Sequence, residues 1–436
     1  MAFRKYIWIV VLFFGAQQSR AQEVLTLNEA IRLALENNYD IKIVNNDAEI
    51  ASNNVNLGNA GILPRLSLDA STGGGKSNSK LVQQSGVERV VDGARNSNTS
   101  YGANLGWTLF DGFQMFTNYE RLQELQKLGD VGVRSAILTT VSDVVSGYYD
   151  IVRQQKLLVA RDTAIQISNF RLNIAKNKLE IGRGSKLDVL TAEVDYNADT
   201  AQYLQLKNNV RQATINLNRL MARNAEIEFS VNDGLDSDLN LNFGQLLGST
   251  ATLNPVIQNA VINNRIASLN LKQIKGQRLP TVSLNSAYTR SRSNTPTGFN
   301  QSAQTNGFTY GFSASMNIFN GFLQKQNERN AKIQIENSEL GLNQATEAVN
   351  SQLLTAYKTY ETGKELLNLE EKNVEIAREY LDITLEKYRL GSISPLDVRD
   401  AQVTYLAALT RYVEAQFQVK INEIALKEIS GTLNLD

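Results

Sequence analysis

The chain has 436 residues, 44 Lys and Arg against 44 Asp and Glu for a formal net charge of zero, and neither histidine nor cysteine. Without imidazole or thiolate, nucleophilic triads and His- or Cys-based metal sites are excluded, and an enzyme would have only carboxylate chemistry. The even charge balance leaves no basic surplus for a nucleic acid.

Residues 1–21 read as a secretory signal peptide: Arg4 and Lys5 precede the apolar run Tyr6 to Phe14, and Ser19-Arg20-Ala21 places small residues at a cleavage site. The run is shorter than the roughly 18 residues of a spanning helix, which argues against an uncleaved anchor. The mature chain is expected to begin at Gln22, without the N-terminal Cys that a lipid anchor needs.

Thr26-Leu27-Asn28-Glu29 is a capping box ahead of Ala30, Ile31, Leu33, Ala34 and Leu35, so a helix starts there and runs, with a break near Asn37-Asn38, to about Asn59. Pro64 ends it and the period changes to two. Tyr101, Ala103, Leu105, Trp107 and Leu109 alternate with small polar residues, which predicts a hairpin over 65–110 whose tip, Gly73 to Ser100, is an exposed loop. From Phe113 to Ile181 no proline interrupts apolar steps of three, four and seven, a heptad-like seam on a helix of roughly 100 Å at about 1.5 Å per residue. Gly182-Arg183-Gly184 stops it, and Ser185-Lys186-Leu187-Asp188 starts an antiparallel helix over 187–221. The Asn-, Asp- and Gly-rich stretch from Arg223 then links to a second copy.

Pro280 repeats Pro64 at an offset of 216 residues. At an offset of 209, Ile318-Phe319-Asn320-Gly321-Phe322 repeats Leu109-Phe110-Asp111-Gly112-Phe113, and Gly391 with Leu396-Asp397-Val398 repeats Gly182 with Leu187-Asp188-Val189. An offset held that long means no insertion, as helices require and loops do not. The expected organisation is therefore mainly α with a small β portion: two repeats, 22–222 and 254–436, joined by a linker at 223–253. The second repeat would hold a helix from Asn254-Pro255, a hairpin 281–319 with a loop from Arg290 to Asn306, a helix 322–390, a turn at 391–395 and a helix from Leu396.

Alternation over nine to eleven residues suits a tilted transmembrane β-strand. A half-buried strand of a soluble sandwich fits it equally, but four strands alone cannot cover their apolar face or edges.

The signal peptide, the Leu25-Thr26-Leu27-Asn28-Glu29-Ala30 start, the two helix–Pro–strand junctions and the paired Gly…Leu-Asp-Val turns together resemble the TolC-like outer-membrane efflux proteins, over essentially the whole mature chain. The resemblance implies a homotrimer in which each chain gives four strands to a shared twelve-stranded transmembrane β-barrel in the outer-membrane lipid and its helices to an α-helical tunnel in the periplasm. Its implied function is the exit duct of a tripartite efflux pump or type I secretion system, with a periplasmic adaptor (membrane fusion) protein and an inner-membrane transporter as partners. Catalytic, cofactor and metal sites are expected to be absent. By resemblance, Tyr388, Asp188, Asp397 and Asp400 form a periplasmic gate. The adaptor would dock at the tips, Gly182, Arg183, Gly184 and Ser185 with Gly391, Ser392, Ser394 and Pro395. The family's tip arginine falls on Ile393, a departure from the family's pattern.

Three other readings are weighed against this one. Asp188 and Asp397 stand at N3 of capped helices, where a carboxylate is favourable without any gate, whereas Asp400, one turn on, is not explained by a cap. A soluble periplasmic coiled-coil adaptor or scaffold would share the secretory start and helical hairpins; the apolar strand faces discriminate against it. A carboxylate glycosidase needs two acids converging in a cleft, and none is indicated.

Overall fold

A computed structural model describes residues 23–231, 234–297 and 300–433. The signal-peptide segment 1–21 lies outside the described residues. In chain order the elements are β1 (Glu23–Val24), α1 (Leu27–Asn37), α2 (Tyr39–Asn53), α3 (Leu57–Ala60), β2 (Arg65–Val82), β3 (Glu88–Phe110), α4 (Gln114–Glu180), α5 (Lys186–Leu220), β4 (Phe229–Ser230), α6 (Phe243–Leu253), α7 (Pro255–Gly276), β5 (Thr281–Asn294), β6 (Ser302–Ser315), α8 (Leu323–Arg389) and α9 (Pro395–Ile429). The long helices match between copies, α4 and α8 at 67 residues each and α5 and α9 at 35 each. Two compact units cut across the duplication, one drawn from 1–44, 133–257 and 346–436, the other from 45–132 and 258–345.

The second unit carries a four-stranded antiparallel sheet in the order β2-β3-β5-β6. Register puts Leu66 opposite Leu105, Trp107 opposite Leu284, Leu284 opposite Phe312, and Tyr288 opposite both Ala103 and Phe308. One face is therefore apolar and aromatic, while Ser67, Asn104, Asn285 and Gly311 share the other. The apolar face is largely uncovered within the chain, with Leu68, Phe308, Tyr310 and Phe312 all exposed.

The loops expected at 73–100 and 290–306 are instead strand: β2 runs to Val82, β3 starts at Glu88, β5 runs to Asn294 and β6 starts at Ser302. The connections shrink to 83–87 and 295–301. Ser, Asn and Gly there offer no apolar alternation to read, yet their backbone groups pair as well as any others, as in Thr72 with Thr99 and Asn98 with Ser293. At the other end β6 stops at Ser315, so Met316, Asn317 and Ile318, expected in the strand, lie beyond it.

Strand passes to helix through two consecutive left-handed residues in each copy. Gly112 (φ 73) is followed by Phe113 (φ 67), and Gly321 (φ 67) by Phe322 (φ 65). A left-handed Phe costs about 1–3 kcal/mol and needs over-determined surroundings. Edge-on aromatic pairs supply part of them, Phe110 with Phe113 at 5.1 Å and Phe319 with Phe322 at 5.3 Å. At Gly112 a Cβ would stand 2.1 Å from the carbonyl oxygen of Gly276, so only glycine fits there.

The helical unit centres on Leu25, Ile31 and Ala34 before and within α1, packed with Val141, Val144, Tyr148 and Ile151 of α4, Leu217 of α5 and Ile424 of α9. Thr26 caps α1 by accepting from Glu29 N at 3.3 Å, one half of the expected capping box. β1 pairs in parallel with β4, closing the linker onto the same core. A second seam stays exposed on each repeat: Leu187, Leu190, Val194 and Leu204 on α5, and Leu366, Leu369, Ile376, Tyr380 and Ile383 on α8.

Candidate functional site at the helical turns

Both α-helical turns are built the same way. In the first, Arg183 N donates to Lys178 O (2.8 Å) and Gly182 N to Leu179 O (3.0 Å); in the second, Ser392 N donates to Lys387 O and Gly391 N to Tyr388 O, both at 3.0 Å. This is the Schellman pattern, and it needs the left-handed conformation that Gly182 (φ 74) and Gly391 (φ 75) adopt. Each turn then starts its next helix with a capping box, Ser185 with Asp188 and Ser394 with Asp397, and Pro395 takes the first helical position, where no N–H is needed. Gly184 is constrained by packing, since a Cβ would come within 3.0 Å of the Leu179 backbone.

The acidic residues at the turns thus have a structural role. Asp188 Oδ2 accepts from Ser185 N at 3.1 Å, and Asp397 Oδ2 from Ser394 N at 2.9 Å. Hydrogen bonds from Ser185, with a smaller contribution from the Lys178 charge, hold the Asp188 carboxyl below the usual carboxylate range. Asp400 is exposed, outside the cap.

Tyr388 is only 2% exposed, and the Lys178 ammonium lies 5.2 Å from its ring centroid. Burial raises its phenol above the ordinary value; Arg171 opposes that rise and the Asp188 carboxylate adds to it. The structure therefore brings Tyr388 within electrostatic reach of Asp188 in one protomer, without a hydrogen bond between them. Arg389, next in the chain, stacks over Phe170 of α4.

Away from the turns the structure shows a polar network that the sequence reading missed. Asp199 of α5, 1% exposed, accepts from Arg399 Nη1 at 2.8 Å, from Gln402 Nε2 at 3.1 Å and from the Ser168 hydroxyl. Gln402 also donates to Ala164 O at 3.0 Å, while Asp195 faces Arg171 at 3.1 Å and Arg399 at 3.7 Å. These contacts tie α4, α5 and α9 together. The available signal was asymmetry: at the offset of 209, Ala408 stands opposite Asp199 and Leu190 opposite Arg399. A charge where the other copy holds a small or apolar residue is one the repeat's common packing does not require.

Among the described residues no group of acids is arranged to hold a metal ion, and no helix is long and apolar enough to cross a membrane.

The profile described as Outer membrane efflux protein matches residues 30–223 and 246–432, one segment in each repeat. The chain belongs to the outer membrane efflux protein family; it resides in the outer membrane and extends into the periplasm. Outer membrane efflux protein BepC of Brucella suis biovar 1 (strain 1330) is 21% identical over 416 residues, covering 94% of this chain and 86% of the relative. Outer membrane protein TolC of Escherichia coli (strain K12) is 20% identical over 427 residues, covering 95% and 83%. Among solved structures, the Campylobacter jejuni CmeC outer membrane channel superposes with a TM-score of 0.76 at 16% identity, covering 93% of this chain and 85% of that one.

Proposed function

We propose that the protein is one protomer of a homotrimeric exit duct, serving a tripartite efflux pump or a type I secretion system without catalysis of its own. The observation that carries the reading is the sheet: four strands with an apolar face exposed and outer edges left open. In a bilayer every backbone group must pair, so such a sheet is stable only when copies close it into a barrel. Three copies would give the twelve strands expected from the resemblance. The exposed seams on α5 and α8 support the same assembly, because two different stripes on one chain can meet between neighbours in a ring.

In this reading, Asp397 and Asp400 of three chains form two acidic rings at the periplasmic end, and Asp397 caps its helix as well. Tyr388 and Asp188 hold neighbouring hairpins together near that end. The turns at Gly182–Ser185 and at Gly391, Ser392, Ser394 and Pro395 receive the adaptor, and the inner-membrane transporter engages through it. The acidic rings favour cations and resist anions.

The test is planar-bilayer recording. The wild type should show a small, cation-preferring conductance that multivalent cations block, and Asp397→Ala combined with Asp400→Ala should weaken both selectivity and block. Unchanged selectivity in a folded double variant would leave these acids only their capping and solvating roles.

A further inference from the structure

Above the aromatic rows, the outward face of the sheet changes character abruptly. Arg290 pairs in register with Tyr101, and Arg292 with Thr99, so both share the face of Tyr101, Ala103 and Tyr288. On the neighbouring pair of strands Lys76 stands opposite Arg95, and their spacing from Leu66 and Tyr101 puts them on that face too. All four side chains are exposed. Among the described residues none has a carboxylate within ion-pair distance. Glu88, the acid farther along that face, is already paired with Lys80 at 2.9 Å, and Asp92 stands in the bulge between Ser77 and Ser79 of the register.

The four cations lie toward the connections 83–87 and 295–301, at the end of the sheet away from its helix junctions at Arg65, Phe110, Thr281 and Ser315. In a protein of the outer membrane whose helices extend into the periplasm, that end faces the cell exterior. The apolar face from Phe110, which pairs with Val282 beyond the bulge at Leu109, to Tyr101 spans ten residues of β3, about 30 Å along a strand whose tilt brings it to the hydrocarbon band of such barrels. The cations therefore begin where the acyl chains of the outer leaflet end. They form two pairs, Arg290 with Arg292 and Arg95 with Lys76, whose nearest members, Arg292 and Arg95, stand about 13 Å apart along the strands.

We propose that Arg290, Arg292, Arg95 and Lys76 form a binding strip for the phosphate groups of the outer-leaflet glycolipid, while the aromatic face below them packs its acyl chains. Arginine recognises phosphate through a planar fork of donors, and each cation beside an anionic lipid surface adds to the attraction. Unpaired cations facing lipid would otherwise have only water above the headgroups to turn to. The inference rests on the outer-membrane placement and barrel orientation of the proposed duct.

The experiment uses the full-length protein extracted in detergent and native mass spectrometry with three probes: bisphosphorylated lipid A, lipid A stripped of both phosphates, and phosphatidylglycerol. The wild type should prefer the bisphosphorylated lipid over the stripped one by about tenfold or more, and over phosphatidylglycerol as well. Combining Arg290→Gln, Arg292→Gln and Arg95→Gln should abolish that preference, while Arg65→Gln, on the opposite face of the sheet, should preserve it. Equal binding of the two lipid A forms, an undiminished preference in the triple variant, or an equal loss in Arg65→Gln would each overturn the proposal. Binding of phosphatidylglycerol as tight as that of lipid A would also overturn it, by showing a general anionic surface. Should the triple variant fail to assemble, Arg292→Gln alone should lose about threefold, and no loss there would count against the strip. The triple variant should keep wild-type conductance, so loss of lipid preference is separable from failure of the duct.

Discussion

At the residue scale the decisive feature is the buried carboxylate of Asp199, which three donors on two helices satisfy. Asp199→Ala would leave Arg399 and Gln402 without their shared acceptor, and we expect a loss of about 3 kcal/mol of stability in chemical unfolding of the solubilised protein. Asp199→Asn, which keeps an acceptor oxygen, should cost less. Comparable losses in the two variants would show that an acceptor oxygen is not enough and that the network needs the charge. Asp188 adds a pH effect of defined sign. Its folded carboxyl titrates below the ordinary value, so its capping contribution is present above the unfolded carboxylate range and is lost as pH falls through the folded value. Protection of the Ser185 amide, measured against its intrinsic exchange rate, should therefore fall in acid, and Asp188→Asn should flatten that dependence. The sequence marks this network only through the asymmetry of Asp199 and Arg399 between the copies, and not its partners, because burial of a polar side chain depends on which helices become neighbours. The caps were legible, since Ser185 with Asp188 and Ser394 with Asp397 act within one turn.

At the element scale, the duplicated turns and long helices could be read from glycine, proline and the constant offset. The strand ends could not. Period-two reading needs contrast between faces, and from Gly73 to Ser100 both faces are small or polar, so β2 and β3 continue through sequence that reads as loop. The longer strands move the exposed connections, and with them the topological test. A cysteine at Gln84 or Asn300, in the short connections, should react with an impermeant maleimide on intact cells. Reaction only after the outer membrane is permeabilised would reverse the orientation. At the strand-to-helix corner, Gly112→Ala should prevent stable assembly, because the added Cβ collides with the Gly276 carbonyl and no flexible side chain can move aside. A heat-stable assembled Gly112→Ala protein would show that this corner can open.

At the scale of the whole molecule, one chain leaves three surfaces incomplete: the open sheet edges, the apolar sheet face and the exposed seams of α5 and α8. Lipid can cover only the apolar face. The edges require backbone partners, and the seams require apolar ones, and the proposed threefold ring would answer both with a single kind of contact. Replacing Leu187 and Val194 by Glu on the α5 seam should weaken the ring while leaving the chain's own core intact, since both residues are exposed. Electron microscopy of the detergent-extracted wild-type particle tests the central claim most directly. The account predicts a threefold-symmetric particle with one barrel of twelve strands continuous with a helical tunnel. A monomeric particle, or a ring in which each chain closes its own barrel, would contradict it.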